Sequence, residues 1–318
     1  MELDILKSIK IGVLGGGVSE EREISLLSAQ NVYSALRKKN IEAVFIDLQT
    51  SKKEEVKKII TSYNIDIVFI ALHGKFGEDG ELQSILDEMR ITYTGSSSLA
   101  SYYAMNKVIS KKIFLEKGIP TPDFYVYTKG ERIPEDIKYP LVIKPYFSGS
   151  SLGVSIVKKD EELENALKKA FSFQVKVIFE DYIEGRELTV GILEEQPLEV
   201  VEIIPQKKDY FDFHTKYTNG EAEFIVPTDL EKRIYEEVKN TALRAHLALG
   251  CRDFSRVDIR LNKDNIPYVL EVNSIPGLTS HSLLPLCAKA KGLDFEDLIL
   301  KMLILAVRRS KEEIRSKV

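Results

Sequence analysis

At 318 residues the chain is long enough for two domains, or for three small ones. Hydrophobic residues make up 44% and charged residues 30%, enough to bury a sizeable core, which excludes disordered and fibrous classes. Lys and Arg number 45 against 49 Asp and Glu, a net charge of −4, so nucleic acid, which selects for a basic excess, is not an expected partner. Cys251 and Cys287 are too few for a disulfide framework or a metal cluster and read as ordinary thiols of a reducing compartment. The most apolar run, Ile299 to Val307, is broken by Lys301 and falls short of the ~18 residues that cross a bilayer. Met1-Glu2-Leu3-Asp4 lacks the basic start of a secretory signal. A soluble cytoplasmic protein without a membrane partner is the expectation.

The first hundred residues predict alternating strands and helices. Lys10 to Leu14 is a strand that stops at Gly15-Gly16-Gly17, and a helix follows from about Glu23 to Lys38. Ala43–Leu48 and Ile65–Leu72 are β-rich runs without clean alternation, as in strands covered on both faces, and Lys52–Tyr63 between them has helical spacing. Such an order implies a parallel sheet, which binds ligands at the carboxyl ends of its strands, where Gly15–Gly17 and His73-Gly74 fall.

At Gly118-Ile119-Pro120-Thr121-Pro122 the texture changes, and two prolines after a helix mark a boundary. An α+β unit follows, with strands at Phe124–Tyr127, Leu141–Lys144, Gly153–Val157 and Val175–Asp181 and a helix that Asp160 is placed to cap. Beyond Glu187 come strands at Leu188–Leu193 and Leu198–Ile204, a polar aromatic loop from Gln206 to Glu221, and a helix from about Asp229 to Leu249. Strands at Arg256–Leu261 and Pro267–Val272 and an amphipathic helix from Phe295 complete the chain.

Three segments carry chemistry. In Lys144-Pro145-Tyr146-Phe147-Ser148-Gly149-Ser150-Ser151-Leu152-Gly153 an apolar strand ends in a lysine, and a Ser/Gly loop returns into the next strand. Free backbone N–H groups, small hydroxyls and an ammonium can together hold polyphosphate, although Ser/Gly loops are more often plain turns. It is not a Walker loop, since no Gly-Lys-Ser/Thr opens a helix. In the C-terminal strand pair, alternation puts Arg256 and Asp258 on one face, and Glu271 and Asn273 on one face. Two carboxylates and an amide oxygen form a hard, oxygen-only site of the kind that takes Mg²⁺ with substrate phosphates; the rival reading is a solvated sheet face. Directly after, in the segment Ser274 to Pro285, a Pro-Gly turn leads into the N-terminus of a short helix, whose backbone donors suit a carboxylate or a developing oxyanion. After the first strand, Glu20 stands where a dinucleotide fingerprint needs its third glycine. Acidic residues at a helix start can simply complement its dipole, but Glu21 is the candidate ligand for an amino group.

Several motifs in one order resemble the D-alanine–D-alanine ligase family of the ATP-grasp superfamily, over nearly the whole chain. They are Gly-Gly-Val-Ser-Glu-Glu-Arg-Glu-Ile-Ser-Leu from Gly16, Ala-Leu-His-Gly-Lys-Phe-Gly-Glu-Asp-Gly from Ala71 and Tyr-Thr-Gly-Ser from Tyr93. The series continues with Lys-Pro through Gly-Ser-Ser-Leu-Gly-Val from Lys144 and Glu-Gly-Arg-Glu-Leu-Thr-Val-Gly from Glu184. It closes with Leu-Glu-Val-Asn-Ser-Ile-Pro-Gly-Leu-Thr-Ser-His-Ser-Leu-Leu-Pro from Leu270.

The resemblance implies an N-terminal parallel-sheet α/β domain (1–105) followed by a two-part ATP-grasp fold. Its central part would be 106–186 and its C-terminal part 187–318, with a lid loop at 206–221. It implies ATP-dependent ligation of two D-alanines through an acylphosphate, for peptidoglycan precursor synthesis, by a cytoplasmic homodimer. Lys107, Lys144 and Ser151 would serve the phosphates, with Lys216 reaching in from the lid. Glu180 and Ile183 would meet the adenine, and Glu187 the ribose. Asp258, Glu271 and Asn273 would hold two Mg²⁺ ions, with Mn²⁺ able to substitute. Glu21 would bind the first D-alanine's ammonium beside His73 and form a hydrogen-bonded triad with Ser150 and Tyr217. Arg256 and the N–H of Gly277 would stabilise the tetrahedral intermediate, and Ser282 and Leu283 would hold the second carboxylate.

Departures from the family pattern are few. Phe211 and Phe213 stand where relatives carry tyrosines, and Asn265 replaces a turn glycine but tolerates a left-handed conformation itself. His246 and His281 read as structural, the pairs Tyr102/Tyr103 and Phe171/Phe173 as core or interface, and the charged tail Arg308–Lys317 as a solvated helix face. Two alternative functions stay open: another ATP-grasp carboxylate–amine ligase, and a nucleotide-binding sensor without turnover.

Overall fold

Strand β1 (Ile11–Gly16) is buried along its whole length, as its unbroken apolar run requires when helices cover both faces of a parallel sheet. It lies between β2 (Ala43–Leu48) and β3 (Ile67–Ile70), both parallel to it, and β4 (Thr92–Tyr93) extends the sheet beyond β3. The structure, a computed structural model, describes residues 2–134, 136–206, 222–279 and 282–315. The expected lid beyond Gln206, with Lys216, Tyr217, Phe211 and Phe213, lies outside the described residues, as does His281. Helices α1 (Glu2–Lys7), α2 (Arg22–Lys38), α3 (Lys53–Ser62) and α4 (Glu81–Met89) accompany this sheet. α1 was not anticipated, because six residues are too few for a periodic pattern to register. The third strand is shorter than its apolar run suggests: Ala71 and Leu72 are buried beyond its end, leading into His73-Gly74.

Helices α5 (Ser98–Met105) and α6 (Lys107–Glu116) lead to a second, antiparallel sheet. Its order is β5 (Phe124–Thr128), β8 (Lys176–Asp181), β6 (Leu141–Pro145), β7 (Ser155–Val157). Helix α7 (Leu163–Phe171) covers it through Leu163, Ala166, Leu167 and Ala170, the spacing of one helical face. Asp160 does not cap that helix: it opens a single 3₁₀ turn, Asp160–Glu162, and accepts a hydrogen bond from Tyr139 Oη at 2.8 Å.

The third sheet runs β11 (Ala222–Ile225), β10 (Gln196–Pro205), β9 (Gly185–Leu193), β12 (Phe254–Asn262), β13 (Pro267–Asn273). Its two faces are told apart by alternation. Val200, Val257 and Ile259 pack with Val238, Ala242 and Ala245 of α8 (Lys232–Ala248). Val201 and Phe254 point the other way, into a core built with α9 (Leu283–Ala290), α10 (Phe295–Arg315) and residues of β1 and α2. That shared core joins the first sheet to the third. Asn265 turns the β12–β13 hairpin at φ 61°, the left-handed conformation expected of it. Cys251 and Cys287 are buried and unbonded, and no helix among the described residues is long and apolar enough to cross a membrane. His246 is buried, with Nδ1 2.7 Å from Ser255 Oγ, and burial lowers its pKa to about 4, which keeps it neutral. Of the two aromatic pairs, Tyr102 and Phe173 are well exposed at 41% and 40%, so neither pair is wholly core.

Candidate active site

A cleft lies between the second and third sheets. Lys144 at the end of β6 and Glu180 on β8 form part of one wall, and Asp258 on β12 and Glu271 on β13 part of the other. Lys107 bridges the two. It opens α6 directly after its N-cap Asn106, donates to the carbonyl of Ser148 at 2.6 Å, and ion-pairs with Glu271 Oε2 at 2.9 Å. Lys144 Nζ lies 2.8 Å from Glu180 Oε1. The loop Ser148–Gly149 enters the cleft, and Ser150 and Ser151 adopt φ of 49° and 56°, a left-handed turn that carries the chain past both lysines. Ile183 and Glu187 line the same space. Glu187 Oε2 is 3.4 Å from Arg260 Nη1, and Arg260 also donates to Tyr182 Oη at 3.1 Å.

On the far wall the antiparallel register sets Asp258 directly opposite Glu271 and Arg256 directly opposite Asn273. Like charges facing each other across a strand pair are destabilising unless a cation intervenes. Here each acid has its own: Arg256 grips Asp258 with a two-pronged fork, Nε to Oδ1 at 2.9 Å and Nη2 to Oδ2 at 2.8 Å, while Lys107 holds Glu271. Arg256 thus spends two donors on Asp258, a use the strand pattern alone did not reveal. Asn273 donates through Nδ2 to Asp258 Oδ2 at 3.2 Å, so its Oδ1 is the atom a cation would use. Among the described residues no three His, Cys, Asp or Glu side chains are placed around a common metal position. The donor set of two carboxylates and an amide oxygen suits Mg²⁺, which completes its shell with water and substrate phosphate.

Beyond the Ser/Gly loop lies a second group, at the carboxyl ends of the first sheet. Glu21 is buried at the start of α2 and accepts a hydrogen bond from the hydroxyl of Ser150, 129 residues away. Its carboxylate fills the space beside two glycines, since a Cβ on Gly74 would overlap Glu21 Oε2 and one on Gly149 would lie 3.2 Å from it. His73 is buried alongside. Its Nδ1 faces the carbonyl of Ile275 at 3.1 Å and Glu78 Oε1 at 3.4 Å, which makes Nδ1 the protonated nitrogen, and Nε2 lies 2.8 Å from Ser28 Oγ. Burial alone would lower its pKa, but Glu78, the charge of Glu21 and the Ile275 carbonyl together raise it.

The loop after β13 closes this group. Leu278 N–H donates to Ser28 Oγ at 3.3 Å, so Ser28 couples the loop to His73. Gly277 is pressed against Ser282, whose Oγ would lie 2.7 Å from a Cβ there. Ser282 is the N-cap residue of α9 but makes no side-chain cap bond; its hydroxyl accepts from Thr279 N–H at 2.9 Å instead. The first turn of α9, from Leu283, therefore keeps backbone donors for an anion.

Comparison with known proteins places the chain in a family. Residues 113–304 match the family model described as "D-ala D-ala ligase C-terminus", and residues 10–56 and 48–96 match "D-ala D-ala ligase N-terminus". The chain is 42% identical over 309 residues to a D-alanine–D-alanine ligase of Geotalea uraniireducens, covering 96% of this chain and 98% of that one. It is 44% identical to one of Methylacidiphilum infernorum, with 95% and 96% covered. The chain belongs to the D-alanine–D-alanine ligase family. The crystal structure of the Bacillus anthracis D-alanine–D-alanine ligase complexed with ATP has a TM-score of 0.84 to it at 36% identity, covering 96% of this chain and 99% of the other. As a D-alanine–D-alanine ligase family member, the chain has the expected fold class: a parallel α/β unit followed by the two ATP-grasp sheets.

Two site residues escaped the sequence reading. Glu78 lies within the motif that begins at Ala71, but nothing in the spacing says that it turns back onto His73. Lys111 occupies the buried stripe of α6 with Lys107, Ser110 and Phe114. A lysine on the apolar side of a helix was the available signal.

Proposed function

We propose that this chain joins two molecules of D-alanine into D-alanyl-D-alanine, converting ATP to ADP and phosphate, as a step of peptidoglycan precursor synthesis. The observation that carries the reading is the pairing of Asp258 with Glu271 on one wall of a cleft whose other wall presents Lys144, with Lys107 bridging the two. ATP as the nucleotide is supported by the ATP-bound Bacillus anthracis relative. In this reading the chain divides into a substrate domain (1–105), a central part (106–186) and a C-terminal part (187–318), works in the cytoplasm and pairs as a homodimer.

A carboxylate is a poor electrophile. Its oxygen first attacks the γ-phosphorus, the bond to the β-phosphate oxygen breaks, and ADP leaves an acylphosphate. The ammonium of the second D-alanine gives one proton to solvent, the free amine attacks the carbonyl carbon, the nitrogen of the tetrahedral intermediate gives up a second proton, and phosphate departs with the C–O electrons to leave the amide.

Glu21 would hold the first ammonium beside His73, kept in place by the Ser150 hydroxyl, with Tyr217 as the triad's third member. Lys107, Lys144 and Lys216 would offset phosphate charge as it approaches an anionic nucleophile, and Ser151 would hydrogen-bond the nucleotide. Glu180 and Ile183 would receive the adenine and Glu187 the ribose. Bound Mg²⁺, or Mn²⁺, held as two ions by Asp258, Glu271 and Asn273, would supply Lewis acidity at the phosphates. Arg256 and the Gly277 N–H would meet the oxyanion, and Ser282 and Leu283 the second carboxylate.

ADP release measured with ATP and a panel of D- and L-amino acids tests this. Release with D-alanine, together with the dipeptide in the products, is expected. Release only with another acid and amine would make the chain a different carboxylate–amine ligase, and ATP binding without any ADP would make it a sensor.

A further inference from the structure

Lys111 places an ammonium where solvent does not reach. Its side chain is 0% exposed, and its Nζ lies 2.6 Å from Glu180 Oε2. It also donates to Thr121 Oγ1 at 2.7 Å, and the Phe124 ring lies 5.7 Å away. The other oxygen of Glu180, Oε1, faces Lys144 at 2.8 Å. One buried carboxylate thus stands between two ammoniums in different positions: Lys144 and Glu180 line the cleft, and Lys111 lies behind them.

Glu180 and Lys144 alone would form a closed, neutral pair. Moving Lys144 from that pair to a phosphate would strand a buried carboxylate, which is costly. With Lys111 present the trio carries a net positive charge, and Glu180 keeps a partner wherever Lys144 goes.

We propose that Lys111 is a positioning residue that acts as the standing counter-ion of Glu180 and thereby releases Lys144 to the phosphates of the nucleotide. The inference rests on the assignment of Lys144 to those phosphates and adds to it a residue that touches no substrate. The protonation pattern agrees. Burial opposes ionisation of Glu180, but the two lysines outweigh it and hold the carboxyl below its usual range. Burial draws Lys111 down to about 8 against the pull of Glu180, which still leaves it largely charged near neutral pH. Lys111 also has a structural tie, because the Thr121 hydroxyl that accepts from it donates to the carbonyl of Val269 on β13 at 2.8 Å. The test must therefore distinguish the counter-ion from a mere brace.

Inorganic triphosphate with Mg²⁺ carries the phosphates without the adenine, so its binding to the full chain, measured by calorimetry, reads Lys144 rather than the adenine contact. Lys111→Met is expected to weaken it about tenfold, and adding Glu180→Gln to bring it back within about threefold of the parent, because a neutral amide no longer holds Lys144. A brace would give the opposite for the double variant, with binding as weak as in Lys111→Met or weaker, and that overturns the proposal. So does a Lys111→Met protein that binds like the parent. Should Lys111→Met fail to fold, Glu180→Gln alone decides: triphosphate binding at least as tight as the parent's supports the counter-ion role, and weaker binding overturns it. Lys144→Ala distinguishes the phosphate contact from the counter-ion role. If it leaves triphosphate binding unchanged, the phosphate assignment falls and this inference with it. If it weakens binding while Lys111→Met does not, only this inference falls.

Discussion

Asp258 and Glu271 face each other across β12 and β13, and each is neutralised by a cation from a different part of the chain, Arg256 for the first and Lys107 for the second. Replacing Glu271 with Gln removes one member of a like-charge pair and one ion pair together. The two changes oppose each other, but the substitution leaves Lys107 a largely buried ammonium without its carboxylate, so stability should fall by about 1–3 kcal/mol, less than the full cost of breaking a buried pair. Turnover should not survive: with one carboxylate left to hold a divalent cation, phosphate release with ATP and D-alanine should fall by at least about 100-fold. Thermal melting and phosphate release on the same preparation check both halves, and ordinary activity at ordinary Mg²⁺ would remove Glu271 from the metal site.

Gly74 has φ 72° and lies against the Glu21 carboxylate. In Gly74→Ala the left-handed backbone costs roughly 1–2 kcal/mol, and the new methyl must displace Glu21 Oε2. The melting temperature should drop, and KM for D-alanine should rise about tenfold while KM for ATP stays near the parent value, because the ATP cleft lies beyond the Ser/Gly loop. Equal rises in both constants would mean that Glu21 does not anchor the first amino acid.

The parts of this site that were most legible in the sequence lie on strands, although Glu21 at a helix start and the Ser/Gly loop after Lys144 also stood out. Alternation alone puts Arg256 with Asp258 and Glu271 with Asn273, and the buried Val257, Ile259 and Val272 bear out which face is which. Lys144 stands out because an ammonium at the end of an apolar strand needs a reason. What a linear pattern cannot hold is the partner. That Lys107 crosses to Glu271, that Ser150 reaches Glu21 and that His73 meets Ile275 are consequences of three sheets packing together. Glu180 illustrates the difference: its place beside the adenine follows from resemblance to the family, whereas its two lysines appear only in three dimensions. At the level of elements, long runs such as β1 and α2 were placed within a residue or two, while the six-residue α1 and the uncapped start of α7 left too little local signal.

His73 should make the fold's stability depend on pH. Its pKa in the folded chain lies above the unfolded value of about 6.5, since Glu78, Glu21 and the Ile275 carbonyl outweigh burial. A group of that kind contributes stability that is fully present below the unfolded pKa and is lost as the pH rises through the folded one. His73→Gln should therefore lower the melting temperature more at about pH 5.5 than at about pH 9. Taking the difference between variant and parent at each pH cancels the titration of groups that do not interact with His73, and a difference that does not change with pH would show that His73 titrates in the fold as it does in the unfolded chain.

Asp253 offers the contrast of a buried charge that serves stability alone. Its Oδ2 accepts from the N–H of Gly95 at 3.0 Å and pairs with Arg309 Nη2 at 2.8 Å, and that same Nη2 donates to the carbonyl of Tyr93. One carboxylate therefore pins α10 to the end of the first sheet. Asp253→Ala leaves a largely buried guanidinium with only the Tyr93 carbonyl and no carboxylate, leaves the Gly95 N–H without its acceptor, and puts alanine at φ 62°. Removing one partner of a buried pair costs about 3–5 kcal/mol, so the denaturation midpoint should fall steeply. Asp253→Asn keeps an acceptor for Gly95 and tolerates the left-handed backbone, so it should lose only about half as much. Both variants should retain the parent's kcat and KM at a temperature where they are folded, because Asp253 touches neither the cleft nor the Glu21 group. A loss of kcat in the folded Asn variant would mean that the junction between the first and third sheets is coupled to the chemistry.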